Sequence, residues 1–207
     1  MILPDNESTR VRAAETVKNG GVIAFRTDTF YGLGAGPFDP NAVRRIVELK
    51  GRDGKPILLV ISDLAQVEMF ILKQSSAFTR AADAFWPGPL TLVGPAVPNL
   101  SDDLTAGTGT IGLRLPDNDS LRSLLRLCGG ALTATSANIS GLPPAESVNQ
   151  VEEHFGESID LIIDGGVTRV THASTVLDVS QSISRIIREG VISRTSLEEV
   201  LGSLISD

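Results

Sequence analysis

The sequence predicts an α/β fold organised around a mixed β-sheet. Helical and strand patterns alternate along all 207 residues, without an internal repeat, a low-complexity block or a linker-like stretch. Some predicted strands are separated by a helix, which favours parallel neighbours, whereas others follow one another directly. We therefore expect a mixed rather than a purely parallel sheet, in one domain over residues 1–207.

The first elements illustrate how each assignment is made. Apolar residues recur at helical spacing over Ser8–Asn19, and the glycine pair that follows is a stop signal. The apolar run Val22–Phe25 is typical of a buried strand. Asp39 and Pro40 suit the N-cap and the first position of a second helix, which the sequence therefore predicts.

The same criteria place the remaining elements. Further strands are predicted over Ile57–Ile61, Leu90–Val93, Thr110–Leu115, Leu132–Thr135, Leu161–Ile163, Thr175–Val179 and Arg185–Ile187. Further helices are predicted over Asp63–Leu72, Ser76–Phe85, Asp119–Leu127 and Ser196–Leu204. Because no helix separates the last three strands, we expect them to be antiparallel neighbours.

Composition excludes several classes of protein. The chain is 42% hydrophobic, enough for a substantial core, but its longest apolar runs, such as Ile57–Ile61, are too short to span a bilayer. The amino terminus lacks the basic and apolar regions of a secretory signal. One cysteine, Cys128, excludes an internal disulfide and fits a reducing compartment. We therefore expect a cytoplasmic protein that does not bind membranes.

The charge distribution limits the kind of anion the chain can bind. Its 25 acidic and 18 basic residues give a net charge of −7, which disfavours a broad nucleic-acid-binding face. Between Arg44 and Lys55, however, five basic residues face two acidic ones, a local charge of +3. Two glycines in this segment would let the backbone approach a ligand such as a triphosphate. The alternative is a solvated helix end whose cations suit the negative helix terminus.

A second candidate site is the polar loop Thr135–Gly141, which follows a predicted strand. Small hydroxyl and amide side chains at the carboxyl end of a strand are well placed to contact a ligand, although a capped turn would look the same. Ser136 lacks the G-x-S-x-G setting of a hydrolase nucleophile, and neither His154 nor His172 is an evident partner. Binding is therefore a better interpretation than nucleophilic catalysis.

A third segment, Arg26–Gly36, follows the first predicted strand. Its glycine spacing is G-x-G-x-G, and Pro37 prevents a helix from opening directly after it, which excludes a dinucleotide-binding loop. The sequence contains no Walker-type phosphate loop. One cysteine and two distant histidines make a zinc site improbable, so we expect no metal held by protein ligands alone.

Seven motifs occur in a defined order between residues 27 and 190. They are Thr27–Gly34, Lys50-Gly51-Arg52 with Lys55-Pro56, Trp86–Thr91, Gly112–Pro116, Thr135–Gly141, Ser174-Thr175-Val176 and Arg188-Glu189-Gly190. In this order they resemble the YrdC-like family of threonylcarbamoyl-AMP synthases. The chain ends soon after the last motif and so resembles the short, single-domain form of that family.

The resemblance implies both a fold and a reaction. The fold is a twisted mixed sheet of about seven strands, flanked by helices and enclosing a deep concave cleft. The reaction converts L-threonine, bicarbonate and ATP to L-threonylcarbamoyl-AMP and pyrophosphate. Family members pass this product to a transferase complex that modifies the adenosine beside the anticodon of certain tRNAs.

The resemblance also implies site residues. Lys50, Arg52, Ser136 and Asn138 match the catalytic set. ATP contacts are implied for Lys50, Arg52, Lys55, Thr110, Ser136, Asn138 and Arg188, and threonine contacts for Thr29, Arg114 and Ser174. Arg114 suits a carboxylate because its guanidinium can donate two parallel hydrogen bonds. Mg²⁺ is expected with ATP, held by the triphosphate and few protein groups.

Two departures from the family pattern concern the threonine side of the expected pocket. Many relatives have proline where this chain has Arg26, and histidine where it has Val60. These departures leave open a paralogue without threonine specificity. Two further alternatives rest on the implied fold itself: a double-stranded RNA-binding module, and a carbamoyl-transfer domain like that of hydrogenase-maturation proteins. Trp86 is interpreted as a packing anchor, and Tyr31 either lines the pocket or closes the turn.

Overall fold

The computed structural model describes residues 1–51, 54–168, 172–202 and 205–206. The strands in these ranges are β1 (Ile2–Pro4), β2 (Ile23–Arg26), β3 (Tyr31–Gly34), β4 (Leu58–Ile61), β5 (Leu90–Pro95), β6 (Thr110–Arg114), β7 (Ala131–Ser136), β8 (Leu161–Asp164), β9 (Thr175–Asp178), β10 (Ser184–Arg188) and β11 (Ile205–Ser206). The helices are α1 (Glu7–Lys18), α2 (Pro40–Lys50), α3 (Ser76–Phe85), α4 (Asp102–Thr105), α5 (Asp119–Leu127), α6 (Val148–Phe155) and α7 (Arg194–Leu201).

The described strands form one mixed sheet, as the sequence predicts. Their order is β1-β8-β2-β3-β7-β4-β6-β5-β9-β10-β11. The parallel neighbours are β1/β8, β8/β2, β4/β6, β5/β9 and β10/β11. The remaining neighbours, β2/β3, β3/β7, β7/β4, β6/β5 and β9/β10, are antiparallel.

The sheet has more strands than the expected seven or so. Pattern reading missed β1 and β11 because they are only three and two residues long. It missed β3 because two of the four residues in Tyr-Gly-Leu-Gly are glycines. The strand therefore shows no alternation of apolar with polar side chains. The predicted mixed α/β class is confirmed, whereas the expected number of strands was too low.

The expected pairing of the last three strands is wrong for one of them. β9 and β10 are antiparallel neighbours, as predicted. β8, however, lies at the other end of the sheet, parallel to both β1 and β2. Short connections favour neighbouring strands, but the segment between β8 and β9 is long enough to carry the chain across the sheet.

Helix boundaries follow their capping residues. Asp39 caps α2 by accepting hydrogen bonds from the backbone amides of Asn41 and Ala42. The predicted helix over Asp63–Leu72 is instead a 3-10 helix over Leu64–Met69, and a second short 3-10 helix covers Gly156–Ser158. The last helix begins earlier than predicted because Ser193 caps it, and it ends earlier, at Leu201, where Gly202 is the C-cap. α4 and α6 were not assigned from the sequence.

Two buried apolar clusters cover the two faces of the sheet. The larger one packs α2, α3, α6 and α7 against strand residues such as Leu59 and Leu92. The smaller one packs α1 and α5 against Phe25, Val60 and Leu132. Since side chains alternate between the faces of a strand, Leu59 and its neighbour Val60 belong to different clusters. The two helices of the smaller cluster leave part of their face uncovered.

Trp86 is a packing anchor, in agreement with its interpretation from the sequence. Its ring meets that of Phe78 edge-on, with centroids 5.7 Å apart. Its indole nitrogen donates a hydrogen bond of 2.6 Å to the carbonyl of Leu90. The residue therefore fastens the end of α3 to the start of β5.

Within the described residues, no helix is both long enough and apolar enough to cross a membrane.

Glycine at position 34 is required by close packing. A Cβ atom there would overlap the ring of Phe25 and lie 2.9 Å from the carbonyl oxygen of Thr133. At Gly36, two residues along the chain, the nearest atom would be a methyl group of Val17 at 3.8 Å. The alternating glycines of this segment thus include at least one that lets β3 pack closely against β2 and β7.

We expect Gly34→Ala to lower the free energy of unfolding by about 1–3 kcal/mol, because the added methyl overpacks a closed site. Urea denaturation followed by circular dichroism measures the change. Gly36→Ala is the matched control and should change stability much less. Equal stability of the two variants would contradict the packing argument.

Cys128 is partly buried at the end of α5, and burial raises the pKa of its thiol to about 12. At a pH of about 8 roughly one molecule in ten thousand then carries the reactive thiolate. We expect iodoacetamide to alkylate the native protein at least about 100-fold more slowly than the urea-unfolded protein, where the thiol pKa is about 8.5. Mass spectrometry over time gives both rates, and similar rates would disprove the shift.

Candidate functional site

A pocket opens on the sheet face that α1 and α5 leave partly uncovered. Its volume is about 170 Å³, below the range of roughly 300–1,000 Å³ that accommodates drug-sized ligands. Its polar lining includes Thr27, Thr29, Thr91, Ser136, Ser174, Arg114 and Arg188, and its apolar lining includes Phe30, Leu58, Val60 and Ala134. The pocket therefore combines hydroxyl groups and two cations with an apolar wall, at a size suited to a small polar molecule.

Arg114 is the buried cation of this pocket. It ends β6 opposite Val60 of β4, and only 7% of the residue is exposed. Its Nη1 donates to the Thr29 hydroxyl at 3.2 Å, and its Nη2 lies 3.3 Å from a carboxylate oxygen of Asp28. Because both partners belong to the turn between β2 and β3, that turn determines where the guanidinium points.

Ser174 and Arg188 form the opposite wall. The Nε and Nη2 atoms of Arg188 donate to the carbonyl oxygen of Ser174 at 3.1 and 2.8 Å, and Nη2 also reaches its hydroxyl at 3.2 Å. The Ser174 hydroxyl lies 3.3 Å from that of Thr91 on β5. The structure thus brings a residue expected at the threonine side into contact with one expected at the ATP side.

Lys50 adjoins the pocket from the end of α2. Only 5% of the residue is exposed, so it is not part of a solvated helix end. Its ammonium donates to the Ser136 carbonyl at 2.6 Å, to the Asn138 side-chain oxygen at 3.0 Å and also to the Asn138 carbonyl. Lys50 therefore anchors the Thr135–Gly141 loop from the end of α2.

Hydrogen bonds within the Thr135–Gly141 loop also hold it in place. The Ser136 hydroxyl donates to the Asn138 side-chain oxygen. The Asn138 amide donates to the carbonyls of Ile139 and Leu142 at 3.0 and 2.6 Å. The hydroxyl of Ser136 has an amide oxygen rather than a histidine as acceptor, which agrees with a binding rather than a nucleophilic role.

Thr110 and Lys55 lie away from this pocket. Thr110 begins β6, with its hydroxyl 2.9 Å from that of Thr108. It lies four residues from Arg114 on the same strand face, about 13 Å along the strand. Lys55 is exposed and precedes β4, which runs parallel to β6, so both residues lie at the same end of the sheet. Arg52 lies outside the described residues.

Tyr31 both lines the pocket and fastens a loop, which resolves the two interpretations of this residue. It is fully buried, and its hydroxyl donates to the Gly166 carbonyl at 2.8 Å while accepting from the Gly165 amide at 3.1 Å. Burial raises the pKa of this phenol. Arg26 donates to the Gly165 carbonyl at 2.9 Å and is otherwise exposed, so its cation holds the edge of this loop.

Val60 contributes to the apolar wall, beside Leu58 and Ala134. Sequence reasoning missed Thr27, Thr91 and Asp28 as part of the site. Asp28 had a signal, since it is an acidic residue within a turn of threonines directly after a buried strand. Thr91 belongs to the Trp86–Thr91 motif, but a lone threonine in an apolar strand gave no chemical reason to assign it a ligand contact.

The described residues contain no group of three or more histidine, cysteine, aspartate or glutamate side chains that could hold a metal ion. The polar side chains that line the pocket are instead hydroxyls and cations. Such a set can bind an anion by charge and orient it by hydrogen bonds.

Comparisons with known proteins identify the family of this chain. The family model for Sua5, YciO and YrdC, described as telomere recombination, matches residues 15–190. A threonylcarbamoyl-AMP synthase of Pyrococcus abyssi is 38% identical over 96% of this chain and 59% of its own length. The corresponding protein of Bacillus subtilis is 35% identical over 99% of this chain and 60% of its own length.

A solved structure extends the agreement to three dimensions. The crystal structure of P. abyssi Sua5 complexed with L-threonine matches 100% of this chain and 62% of that chain, with a TM-score of 0.94 at 36% identity. The chain spans about 60% of the length of these relatives. The family model covers well over half of the chain, and the fold and the motif order agree with it. The chain belongs to the Sua5/YciO/YrdC family.

Proposed function

We propose that this protein converts L-threonine, bicarbonate and ATP to L-threonylcarbamoyl-AMP and pyrophosphate. The observation that carries the proposal is the juxtaposition of the small pocket around Arg114 with the loop that Lys50 anchors. The first can take an amino acid, and the buried ammonium that anchors the second can attract phosphate groups by its charge. Relatives with the synthase name share 35–38% of their aligned residues with this chain.

The amino acid side of the proposal rests on Arg114. A buried guanidinium with two fixed contacts can donate its remaining N–H groups to a carboxylate, and two parallel hydrogen bonds fix the orientation of that carboxylate. Thr29 and Ser174 place hydroxyl groups on either side of the pocket. The apolar wall at Leu58, Val60 and Ala134 suits a methyl group.

The nucleotide side uses the cations outside the amino acid pocket. We propose that Lys50, Arg52, Lys55 and Arg188 hold the triphosphate, with Ser136, Asn138 and Thr110 as polar contacts. Magnesium would enter as part of the MgATP substrate, with phosphate oxygens and water as most of its ligands. The small number of carboxylates around the pocket fits this arrangement, since no cluster of metal-ligating side chains exists in the described residues.

The reaction needs no protein nucleophile. The α-ammonium of threonine loses a proton, and the free amine attacks bicarbonate or CO₂, forming an N–C bond; with bicarbonate, water is released. An oxygen of the resulting carbamate then attacks the α-phosphorus of ATP, and pyrophosphate leaves. The protein contributes by aligning the reactants and by neutralising the charge that develops on the phosphoryl oxygens.

The wider role of the product is also part of the proposal. We propose that the product passes to a transferase complex for the threonylcarbamoyl modification of tRNA and that the protein is cytoplasmic. The RNA-binding module is not favoured, because the chain carries a net charge of −7 and its pocket suits a small ligand. Any direct contact with RNA or tRNA would then be weak.

We expect Lys50→Ala to reduce threonine- and bicarbonate-dependent pyrophosphate release by about 100-fold or more, because it removes a cation and releases the Ser136–Asn138 loop. A coupled pyrophosphate assay measures the rate. Lys73→Ala, at an exposed lysine, is the matched control and should keep full activity. Circular dichroism checks that both variants fold, and near-full activity of a folded Lys50→Ala protein would overturn the assignment.

We expect Arg114→Lys to weaken threonine binding by about 10–100-fold, because an ammonium cannot reproduce two parallel hydrogen bonds. ATP binding should change little, since Arg114 lies on the amino acid side. Isothermal titration with each ligand separates the two effects. Arg44→Lys, at an exposed arginine of α2 paired with Asp103, is the control. Equal weakening of both ligands would argue against a carboxylate role for Arg114.

A further inference from the structure

Asp28 is a buried carboxylate without hydrogen bonds. Its side chain is 9% exposed, and both of its oxygens are closed off from solvent without a hydrogen-bond partner. The Arg114 guanidinium lies 3.3 Å from one oxygen, which compensates the charge without hydrogen-bond geometry. A buried carboxylate in this condition is costly, and a neutral side chain would avoid the cost. The negative charge therefore requires an explanation other than stability.

The Asp28 carboxylate is close enough to the pocket for its negative charge to act on a ligand there. Arg114 and the adjacent Thr29 line the pocket, whereas Asp28 is not among the lining residues and its oxygens touch no solvent. Asp28 thus acts on a ligand through its charge and through Arg114, not by direct contact. Charges a few ångströms apart in a poorly solvated site interact strongly.

The Arg114–Asp28 pair has no net charge. The second cation of the pocket, Arg188, donates to the carbonyl and hydroxyl of Ser174 and is proposed above to hold the triphosphate. A ligand with a carboxylate and no cation would be attracted by Arg114 but would leave two negative charges around one guanidinium. An amino acid brings an ammonium on the carbon next to its carboxylate, and this ammonium restores the balance. An isolated arginine, in contrast, would bind either ligand.

We propose that Asp28 is a specificity-determining residue that makes this pocket selective for a zwitterionic amino acid over the corresponding simple carboxylate. The inference rests on the proposed function, because it takes the pocket around Arg114 to be the threonine site. Asp28 adds a negative partner for the ammonium group of the amino acid. This group must stay in place until the amine is carboxylated.

The test compares L-threonine with β-hydroxybutyrate, which keeps the carboxylate and the hydroxyl but lacks the ammonium. Isothermal titration near neutral pH gives both dissociation constants. We expect the wild-type protein to prefer threonine by at least about tenfold, and Asp28→Asn to reduce that preference by roughly tenfold. Asp28→Glu, which keeps the charge, should retain most of the preference.

A matched control separates charge balance from a structural role. Asp5→Asn removes the same charge from another ion pair, with Arg10 at 2.7 Å, outside the pocket. It should leave the ratio of the two dissociation constants unchanged. A purely structural role of Asp28 would weaken both ligands alike and leave the ratio unchanged, which would overturn the inference. Should Asp28→Asn fail to fold, Asp28→Ser removes the charge with a smaller polar side chain.

The outcomes also separate this inference from the proposed function. Threonine binding to the wild type with an unchanged ratio in folded Asp28→Asn overturns the inference alone. Equal affinity of the wild type for both ligands does the same, whichever variants fold. Failure of the wild type to bind threonine at all overturns both.

Discussion

The buried ammonium of Lys50 is the contact on which the geometry of the site depends. It joins the last residue of α2 to two carbonyls and one side-chain oxygen of the loop after β7, more than 80 residues away along the chain. Three oxygen acceptors around one buried charge form a strong, directional contact. The Ser136–Asn138 loop consequently has a defined position before any ligand binds, which reduces the ordering that a nucleotide would have to impose.

The rest of the site depends on the alternation of side chains between the two faces of the sheet. One face is covered by four helices, whereas the other is covered by α1 and α5 only in part. Residues of the incompletely covered face become pocket residues, as Val60 and Arg114 illustrate, while Leu113, the neighbour of Arg114 along β6, is a core residue. The pocket is thus a consequence of leaving part of one face unpacked.

The sequence predicted the fold class and most of the long elements because their apolar periodicity and caps are strong local signals. Asp39 and Pro40, for example, define the start of α2 by chemistry alone. The place of β8 between β1 and β2 has no local signal, since strand order depends on contacts between distant segments. The same holds for the site. Arg114 was identifiable from its motif, whereas the Lys50 contacts and the burial of Asp28 exist only once the sheet has formed.

The position of β8 has a consequence for synthesis of the chain. β1 and β2 do not pair with each other, because β8 lies between them and contributes residues 161–164 to the sheet. The pocket needs still later residues, Ser174 and Arg188. A nascent chain released from the ribosome in order therefore carries its first strand unpaired until most of the protein has emerged, and such long-range pairings form slowly. The amino-terminal strand is accordingly one part of this molecule that benefits from protection during translation.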